Sequence, residues 1–207
     1  MNSLWTVAIL GIALAFLCGS IPFGFLIGKI NRVDLRKVGS GNIGATNVWR
    51  VLGWKWGLPA FLLDFLKGFV PLVILGGFLN DTPVGPAQGI LVAAALAAIL
   101  GHNFTPWLGF QGGKGIATSA GVLAALLPAS LGVILAVWIV LFAIFRIVSI
   151  ASLAAAVVLP VATWFLYPGQ PVFFGFALAA ALLTIVRHRA NIGRICRGEE
   201  KRIGGKK

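Results

Sequence analysis

Long apolar stretches dominate this sequence, and they constrain its fold more than any other feature. Hydrophobic residues make up 59% of the 207 residues and charged residues only 11%, and the mean hydropathy is +0.98. A helix in lipid satisfies its own backbone hydrogen bonds, so we expect an all-α integral membrane protein of about seven transmembrane helices. The predicted spans lie near residues 4–28, 55–79, 86–106, 115–130, 131–146, 147–167 and 171–187.

The count of seven depends on one break in the middle of the chain. Residues 115–146 form a single apolar stretch, and Pro128 marks the one place where the sequence favours a turn. Proline lacks an amide hydrogen and disfavours helix in the residue before it, which predicts a hairpin there. A kink is the alternative, and we favour seven spans over five.

The basic residues predict the orientation. With the N-terminus outside, every lysine and arginine except Lys67 falls in a cytoplasmic segment, and the outside loops carry none. The C-terminus is then cytoplasmic. The formal net charge of +12 is therefore interpreted as a record of orientation and of attraction to anionic membrane lipid, and not as a sign of nucleic acid binding.

The chain reads as a single domain over residues 1–207, because no repeat is visible and the connections between spans are short. The first basic residue is Lys29, so the first apolar run lacks the charged start of a signal peptide and is expected to be retained. Cys18 and Cys196 lie in a span and in the basic tail and predict no disulfide. The sequence leaves the oligomeric state open.

Three polar stretches interrupt the apolar chain, at residues 39–47, 112–115 and 187–191. The predicted topology places all three at the cytoplasmic face. Glycine allows backbone amides to approach a ligand, and lysine and arginine supply positive charge for phosphate. Together the stretches predict a site that binds oxyanions.

The first stretch has the spacing Gly39-x-Gly41-x-x-Gly44. A dinucleotide-binding loop is excluded because that motif needs a parallel sheet. The glycine-rich backbone is typical of a nest of amides that binds an anion, and a helix-connecting turn with polar caps is the alternative. The side chains that this stretch offers as donors are those of Ser40, Asn42, Thr46 and Asn47.

In the second stretch, Lys114 follows Gly112 and Gly113 and opens a helix. Gly115 replaces the Ser or Thr of a Walker motif, which argues against a nucleotide triphosphatase. The amides and the dipole at a helix N-terminus nevertheless favour an anion. The alternative is a cationic anchor at the membrane interface.

In the third stretch, His188 and Asn191 share one helical face if the helix continues. His188 is a candidate base or phosphate donor, or simply a polar residue where the last span leaves the membrane. Ser149 and Ser152 also share a face, at the start of the sixth span. They are candidate donors to a phosphate or acyl oxygen, and bonds to their own helix are the alternative.

Asp64 and Lys67 lie three residues apart within the second span and are predicted to form an ion pair that supports the site or contacts a ligand. His102 ends the third span, where it either caps the helix or reaches the same pocket. Two histidines without a cluster of carboxylates or cysteines predict no metal site.

Five motifs in order resemble the bacterial acyl phosphate:glycerol 3-phosphate acyltransferase family, and the likeness runs over nearly the whole chain. The motifs are residues 39–47, Asp64-Phe65-Leu66-Lys67-Gly68, Gly101-His102 with Pro106, residues 112–118, and His188-Arg189-x-Asn191-Ile192-x-Arg194. The resemblance implies an inner-membrane enzyme, multi-pass and with its active site facing the cytoplasm, that works in phospholipid synthesis without a cofactor. It would transfer a fatty acyl group from acyl phosphate to the sn-1 hydroxyl of glycerol 3-phosphate and release lysophosphatidate and phosphate.

The resemblance also implies which residues line the substrate pocket: Ser40, Asn42, Thr46, Arg50, Lys114, Ser152, His188 and Asn191. The residue patterns add Gly41, Gly44, Asn47 and Gly113 as phosphate-binding positions, with Asp64, Lys67 and His102 in support. Lys114, Arg50 and the amides of residues 39–44 are expected to stabilise the oxyanion and the departing phosphate. His188, positioned by Asn191, is one candidate for the base, and a phosphate oxygen of the substrates is the other.

The sequence contains neither a His-x-x-x-x-Asp box nor a Gly-x-Ser-x-Gly elbow. Direct transfer without an acyl-enzyme is therefore the simpler mechanism. A small permease for organic anions or phosphate is the competing function, since charges and glycines within spans also build transport sites. A permease should repeat such features in two matching halves, which this sequence does not.

Overall fold

The computed structural model describes residues 2–204, with side chains described from Leu4 onward, and its elements in that range are helices without any strand. Lys206 and Lys207, which belong to the predicted cytoplasmic tail, lie outside the described residues. A 3₁₀ turn covers Pro106–Leu108. The α-helices are α1 (Asn2–Ser20), α2 (Phe23–Ile30), α3 (Ala45–Leu52), α4 (Trp54–Phe78), α5 (Val84–Asn103), α6 (Ile116–Leu126), α7 (Pro128–Phe145), α8 (Val148–Leu166), α9 (Pro171–Arg187) and α10 (Arg189–Cys196).

The helices form two compact units, one up to Leu126 and one from Leu127 onward. The prediction that residues 1–207 act as a single domain stays a prediction. Pro128 is the first residue of α7 and Leu127 is the residue before that helix, so the long apolar stretch is interrupted where proline predicted a break.

Within the first unit, α1 packs closely along α5 because glycines stand at the contact. A Cβ on Gly19 would overlap the carbonyl oxygen of Ala98, and a Cβ on Gly101 would overlap that of Phe16. Without a hydrophobic driving force between helices in lipid, such small residues allow backbones to approach and gain van der Waals contact.

The helices α4 and α6 meet in the same way. A Cβ on Gly68 would overlap the carbonyl oxygen of Thr118, and Gly121 lies equally close to the backbone of α4. This contact places Thr118 against the part of α4 that carries Asp64 and Lys67, so small residues determine which polar side chains meet inside the unit.

In the second unit, α8 packs against both α7 and α9. Buried hydroxyls join α7 to α8, with Ser130 Oγ 3.1 Å from Thr163 Oγ1. Farther along the same pair of helices, Trp138 Nε1 donates to Ser152 Oγ at 3.1 Å. The side chain of Ser152, a predicted site residue, is thereby held in place by an indole.

Within the described residues 2–204, five helical segments are long and apolar enough to cross a membrane, and a sixth follows if α9 and α10, bent by 59° at His188, count as one span. The helix α6 is apolar but only 11 residues long. The all-α membrane class is confirmed. The count of seven spans and the orientation of the termini stay predictions.

Candidate active site

The loop of residues 39–44 takes its shape from Asn47, which is 1% exposed. The Asn47 Nδ2 donates to the carbonyl oxygens of Leu35 at 3.1 Å and Val38 at 3.2 Å, and its Oδ1 accepts from the Ser40 amide at 2.8 Å. Gly39 adopts a φ of +66°, which a side chain would disfavour. Asn47 therefore uses its amide group inside the loop.

Several backbone amides of this loop are also engaged within it. The Gly41 amide donates to the carbonyl of Val38 at 3.0 Å, and the Gly44 amide donates to Oδ1 of Asn42 at 2.8 Å. Together with the Ser40 amide, three of the predicted anion-binding amides thus already have acceptors. The polar side chains that the loop and α3 present at or near the surface are Ser40, which is exposed, and Asn42, Thr46 and Arg50, which are half-buried.

The loop of residues 112–115 rests on the C-terminal end of α5. The Gly112 amide donates to the carbonyl of Asn103 at 3.2 Å, and the Gly113 amide donates to that of His102 at 3.1 Å. Gly115 has a φ of +80° and its carbonyl accepts the Ser119 amide at 2.7 Å in the first turn of α6. Half-buried Lys114 therefore stands just before the N-terminus of α6, as the sequence predicted.

This position suits an anion because the first amides of a helix lack intrahelical acceptors and carry the positive end of the helix dipole. Beneath the loop, the Asn103 side chain is fully buried, and among the described residues its Oδ1 and Nδ2 have no hydrogen-bond partner. A Cβ on Gly115 would lie 2.8 Å from that Oδ1, so the glycine is required for the loop to cover Asn103.

A chain of buried polar groups runs below this loop. Lys67 Nζ lies 2.7 Å from Asp64 Oδ1, which confirms the predicted ion pair, and it also donates to the carbonyl of Ile21 at 2.7 Å. His102 Nδ1 lies 3.7 Å from the same Asp64 oxygen and 3.2 Å from Thr118 Oγ1. All four side chains are buried, so the charges of Asp64 and Lys67 compensate each other away from water.

In the second unit, His188 lies at the bend between α9 and α10 and is 2% exposed. Its Nδ1 is 2.8 Å from the carbonyl oxygen of Thr184. A carbonyl oxygen only accepts, so Nδ1 carries the hydrogen and, in the neutral ring, Nε2 is the nitrogen that accepts a proton. Asn191 lies in the first turn of α10 and is 4% exposed, so both residues of the predicted pair are buried in this unit.

Glu200 accepts hydrogen bonds from the surroundings of this pair, and the sequence analysis did not identify it as a site residue. Its Oε1 accepts from Asn191 Nδ2 at 2.5 Å and from Ser149 Oγ at 2.9 Å, and its Oε2 accepts from Arg194 Nε at 2.6 Å. Burial alone would raise the pKa of Glu200, but the hydrogen bonds from Arg194, Asn191 and Ser149 outweigh it and lower the pKa. Its partner Ser149 lies 51 residues earlier in the chain, so no local pattern in the sequence points to this contact.

The predicted site residues therefore fall into two groups. The stretches at 39–47 and 112–115, with Asp64, Lys67 and His102, lie in the first unit, and Ser152, His188 and Asn191 lie in the second. The sharing of one pocket by all three polar stretches stays a prediction. Within residues 2–204, no group of three or more His, Cys, Asp or Glu side chains is placed to hold a metal ion.

Most of the chain matches a known protein family. The model of the glycerol-3-phosphate acyltransferase family matches residues 9–198. The glycerol-3-phosphate acyltransferase of Desulforudis audaxviator is 45% identical over all of both chains. That of Aquifex aeolicus is also 45% identical, over 91% of this chain and 95% of its own.

Solved structures show the same relationship. The chain is similar to PlsY (YgiH), an integral membrane glycerol 3-phosphate acyltransferase, in its glycerol 3-phosphate form, with a TM-score of 0.86 and 41% identity over 95% of this chain and 96% of that one. The lysophosphatidic acid form of the same enzyme gives a TM-score of 0.84 and 39% identity, over 95% of both chains.

Proposed function

This chain belongs to the glycerol-3-phosphate acyltransferase family, and we propose that it transfers a fatty acyl group from acyl phosphate to the sn-1 hydroxyl of glycerol 3-phosphate. The products are lysophosphatidate and inorganic phosphate. The protein is a multi-pass membrane protein, and its reaction is a step of phospholipid synthesis. The observation that carries the proposal is the likeness, over nearly the whole chain, to an enzyme solved in glycerol 3-phosphate and lysophosphatidic acid forms.

Acyl phosphate is already activated, so the protein has two tasks, which are to align the hydroxyl with the carbonyl and to stabilise negative charge. Lys114, at the N-terminus of α6, takes the second task and binds a phosphate group. Arg50, in the last turn of α3, adds positive charge, and Ser40, Asn42 and Thr46 donate or accept hydrogen bonds. Asn47 shapes their loop instead of contacting the substrate.

The hydroxyl proton of glycerol 3-phosphate has two possible acceptors. Nε2 of His188 is one, because Thr184 fixes the hydrogen on Nδ1. A phosphate oxygen of the substrates is the other, since Arg187 and Arg189 are the sequence neighbours of His188 and disfavour a further positive charge there. Asn191 positions the reacting groups and is itself held by Glu200, while Ser152 is held by Trp138.

Asp34, the acid that precedes the polar stretch at residues 39–47, is a poor base. Asp34 is bound by the Arg36 side chain at 2.9 and 3.0 Å. Those hydrogen bonds lower the pKa of Asp34 to about 2, so at neutral pH its carboxylate holds a proton weakly.

We place the protein in the bacterial inner membrane with the reaction at its cytoplasmic side. The support is the charge pattern: apart from Lys67, the lysines and arginines fall in segments that alternate with loops lacking them. Cysteine labelling from either side of the membrane tests this placement, with Ser40→Cys expected to react from the cytoplasmic side alone.

The test of function uses purified protein in detergent or lipid with acyl phosphate and labelled glycerol 3-phosphate, and acyl-CoA is supplied separately to test the donor. Lysophosphatidate and phosphate should form in equal amounts, and only with acyl phosphate. Lys114→Met should lower kcat about 100-fold. Lys55→Met, an exposed lysine at the start of α4, is the matched control and should leave turnover unchanged.

The base is tested by His188→Gln. If His188 is the obligatory base, kcat falls about 100-fold or more, and the loss does not depend on the pKa of the substrate phosphate. Retention of most of the turnover assigns the proton to the substrate instead.

The permease alternative predicts uptake into sealed vesicles without chemical conversion. The comparisons do not favour it, since the family and the solved relatives are described as acyltransferases.

A further inference from the structure

Gly113 is enclosed by a single neighbouring side chain. A Cβ at this position would overlap Nε2 of His102, with Cε1 at 3.0 Å and Cδ2 at 3.2 Å, and these are the three nearest atoms. The Gly113 amide also donates to the His102 carbonyl at 3.1 Å. The backbone just before Lys114 therefore rests on both the main chain and the ring edge of one residue.

The opposite edge of the same ring is held from two other helices. His102 Nδ1 lies 3.2 Å from Thr118 Oγ1 on α6 and 3.7 Å from Asp64 Oδ1 on α4. Asp64 in turn is paired with Lys67 at 2.7 Å. The ring is 5% exposed, so these contacts determine its orientation away from water.

We propose that His102 is a positioning residue for the reaction, and that its ring sets the place of Lys114 through Gly113. Asp64 and Thr118 hold the Nδ1 edge, and the Nε2 edge supports the loop. The proposal rests on the proposed function, because the phosphate contact of Lys114 is what the ring positions. A residue that only filled the core would affect folding without affecting the affinity for one substrate.

Two substitutions test the contact between Gly113 and the His102 ring, one by adding volume and the other by removing it. Gly113→Ala adds a methyl group where Nε2 lies. His102→Asn keeps an atom near the position of Nδ1, facing Thr118 and Asp64, but removes Nε2 and Cε1. KM and kcat are measured for acyl phosphate and for glycerol 3-phosphate in turn, each with the other saturating.

Gly113→Ala should raise KM about tenfold or more for the substrate whose phosphate Lys114 binds, with a smaller change in kcat. His102→Asn alone should raise the same KM about threefold, since the loop loses its support. The double variant should return to within about threefold of the wild type because the methyl group enters the vacated space. The substrate whose KM changes identifies which of the two phosphate groups is held.

Gly112→Ala is the matched control. A Cβ there would overlap the carbonyl oxygen of His102 and lie 2.8 Å from the Asn103 carbonyl group, which are main-chain atoms. His102→Asn cannot relieve that overlap. Equal rescue of Gly112→Ala and Gly113→Ala would overturn the proposal, as would an unchanged KM for both substrates in Gly113→Ala.

A second variant keeps the test decisive if Gly113→Ala does not fold. Thr118→Val removes the hydroxyl beside Nδ1 and nearly conserves volume, and it should raise the same KM about twofold to threefold. The unfolding temperature should fall no further than the loss of one hydrogen bond implies. A KM equal to that of the wild type would contradict the proposal. An inactive wild type in this assay would instead refute the proposed function, so the two failures are distinguishable.

Discussion

Each unit contains a carboxylate at the centre of a polar cluster, and the two clusters differ in how their charge is compensated. In the first unit, Asp64 and Lys67 lie on one helix, both with side chains 3% exposed, and they neutralise each other inside a span. In the second unit, Glu200 follows α10 in the chain and accepts hydrogen bonds from side chains of α8 and α10, while the side chain of Arg194 remains 31% exposed. The first cluster is closed to water and the second is partly open.

This difference predicts that similar substitutions destabilise the protein by different amounts in the two clusters. A buried ion pair that loses one partner leaves an uncompensated charge in a medium of low dielectric constant. A partly exposed cluster that loses charge can recruit water.

Asp64→Asn should destabilise the protein by about 3 to 5 kcal/mol, because Lys67 is left buried without its counter-charge. Thermal unfolding in detergent measures the loss. The double variant Asp64→Leu with Lys67→Met should recover much of it, since an apolar pair of similar volume needs no compensation. Asp81→Asn, at an exposed carboxylate, is the control and should stay within about 0.5 kcal/mol of the wild type. An Asp64→Asn protein that unfolds at the wild-type temperature would show that the first cluster is not closed.

Glu200→Gln should cost about 1 to 2 kcal/mol, less than Asp64→Asn, because three donors lose a charged acceptor in a partly hydrated place. The same variant should lower kcat, since Asn191 loses the oxygen that holds it. Glu199→Gln is the neighbouring control, as Glu199 is exposed and pairs only with Arg197 among the described residues. Equal effects of the two substitutions would remove the special role of Glu200.

The unfolding temperature should depend on pH through the Glu200 carboxylate of the second cluster. The pKa of Glu200 in the folded protein lies below its ordinary value of 4.5. Its contribution to stability is therefore complete above about pH 4.5 and is lost as the pH falls through the lower, folded pKa. Over that window the unfolding temperature of the wild type should fall more steeply than that of Glu200→Gln. Parallel curves would contradict this assignment.

Trp138→Phe should have the smallest effect, about 0.5 to 1.5 kcal/mol or less, because it removes one neutral hydrogen bond to Ser152. The aromatic stacking on Phe142 can persist, since a phenyl ring replaces the indole. Unfolding and turnover are both measured, and Trp164→Phe, an exposed tryptophan on α8, is the control. A loss as large as that of Glu200→Gln would show that Ser152 depends on the indole more than one bond implies.

The sequence correctly predicted the features that depend on residues close together in the chain. Asp64 and Lys67 are three residues apart, and helix geometry alone brings them together, as the structure confirms. Lys114 before α6 and the interruption at Pro128 likewise follow from local rules for glycine and proline. The helical membrane class followed from hydropathy in the same way.

The contacts that sequence reasoning missed join residues far apart in the chain. Glu200 accepts from Ser149, 51 residues earlier, and His102 meets Thr118 through the packing of α6. No periodicity encodes these pairs, because they depend on how helices pack. Asn47 shows the converse case: its residue type suggested a ligand contact, but the buried loop uses its amide group.

The hydrogen bond from Lys67 to Ile21 has a consequence for biosynthesis. Ile21 lies at the break between α1 and α2, and its partner follows 46 residues later in α4. A nascent chain that has inserted its first helix has the break but not yet the lysine that binds it. The break therefore acquires the hydrogen bond from Lys67 only after α4 has been synthesised, and until then the Ile21 carbonyl has the Phe23 amide, at 3.1 Å, as its donor.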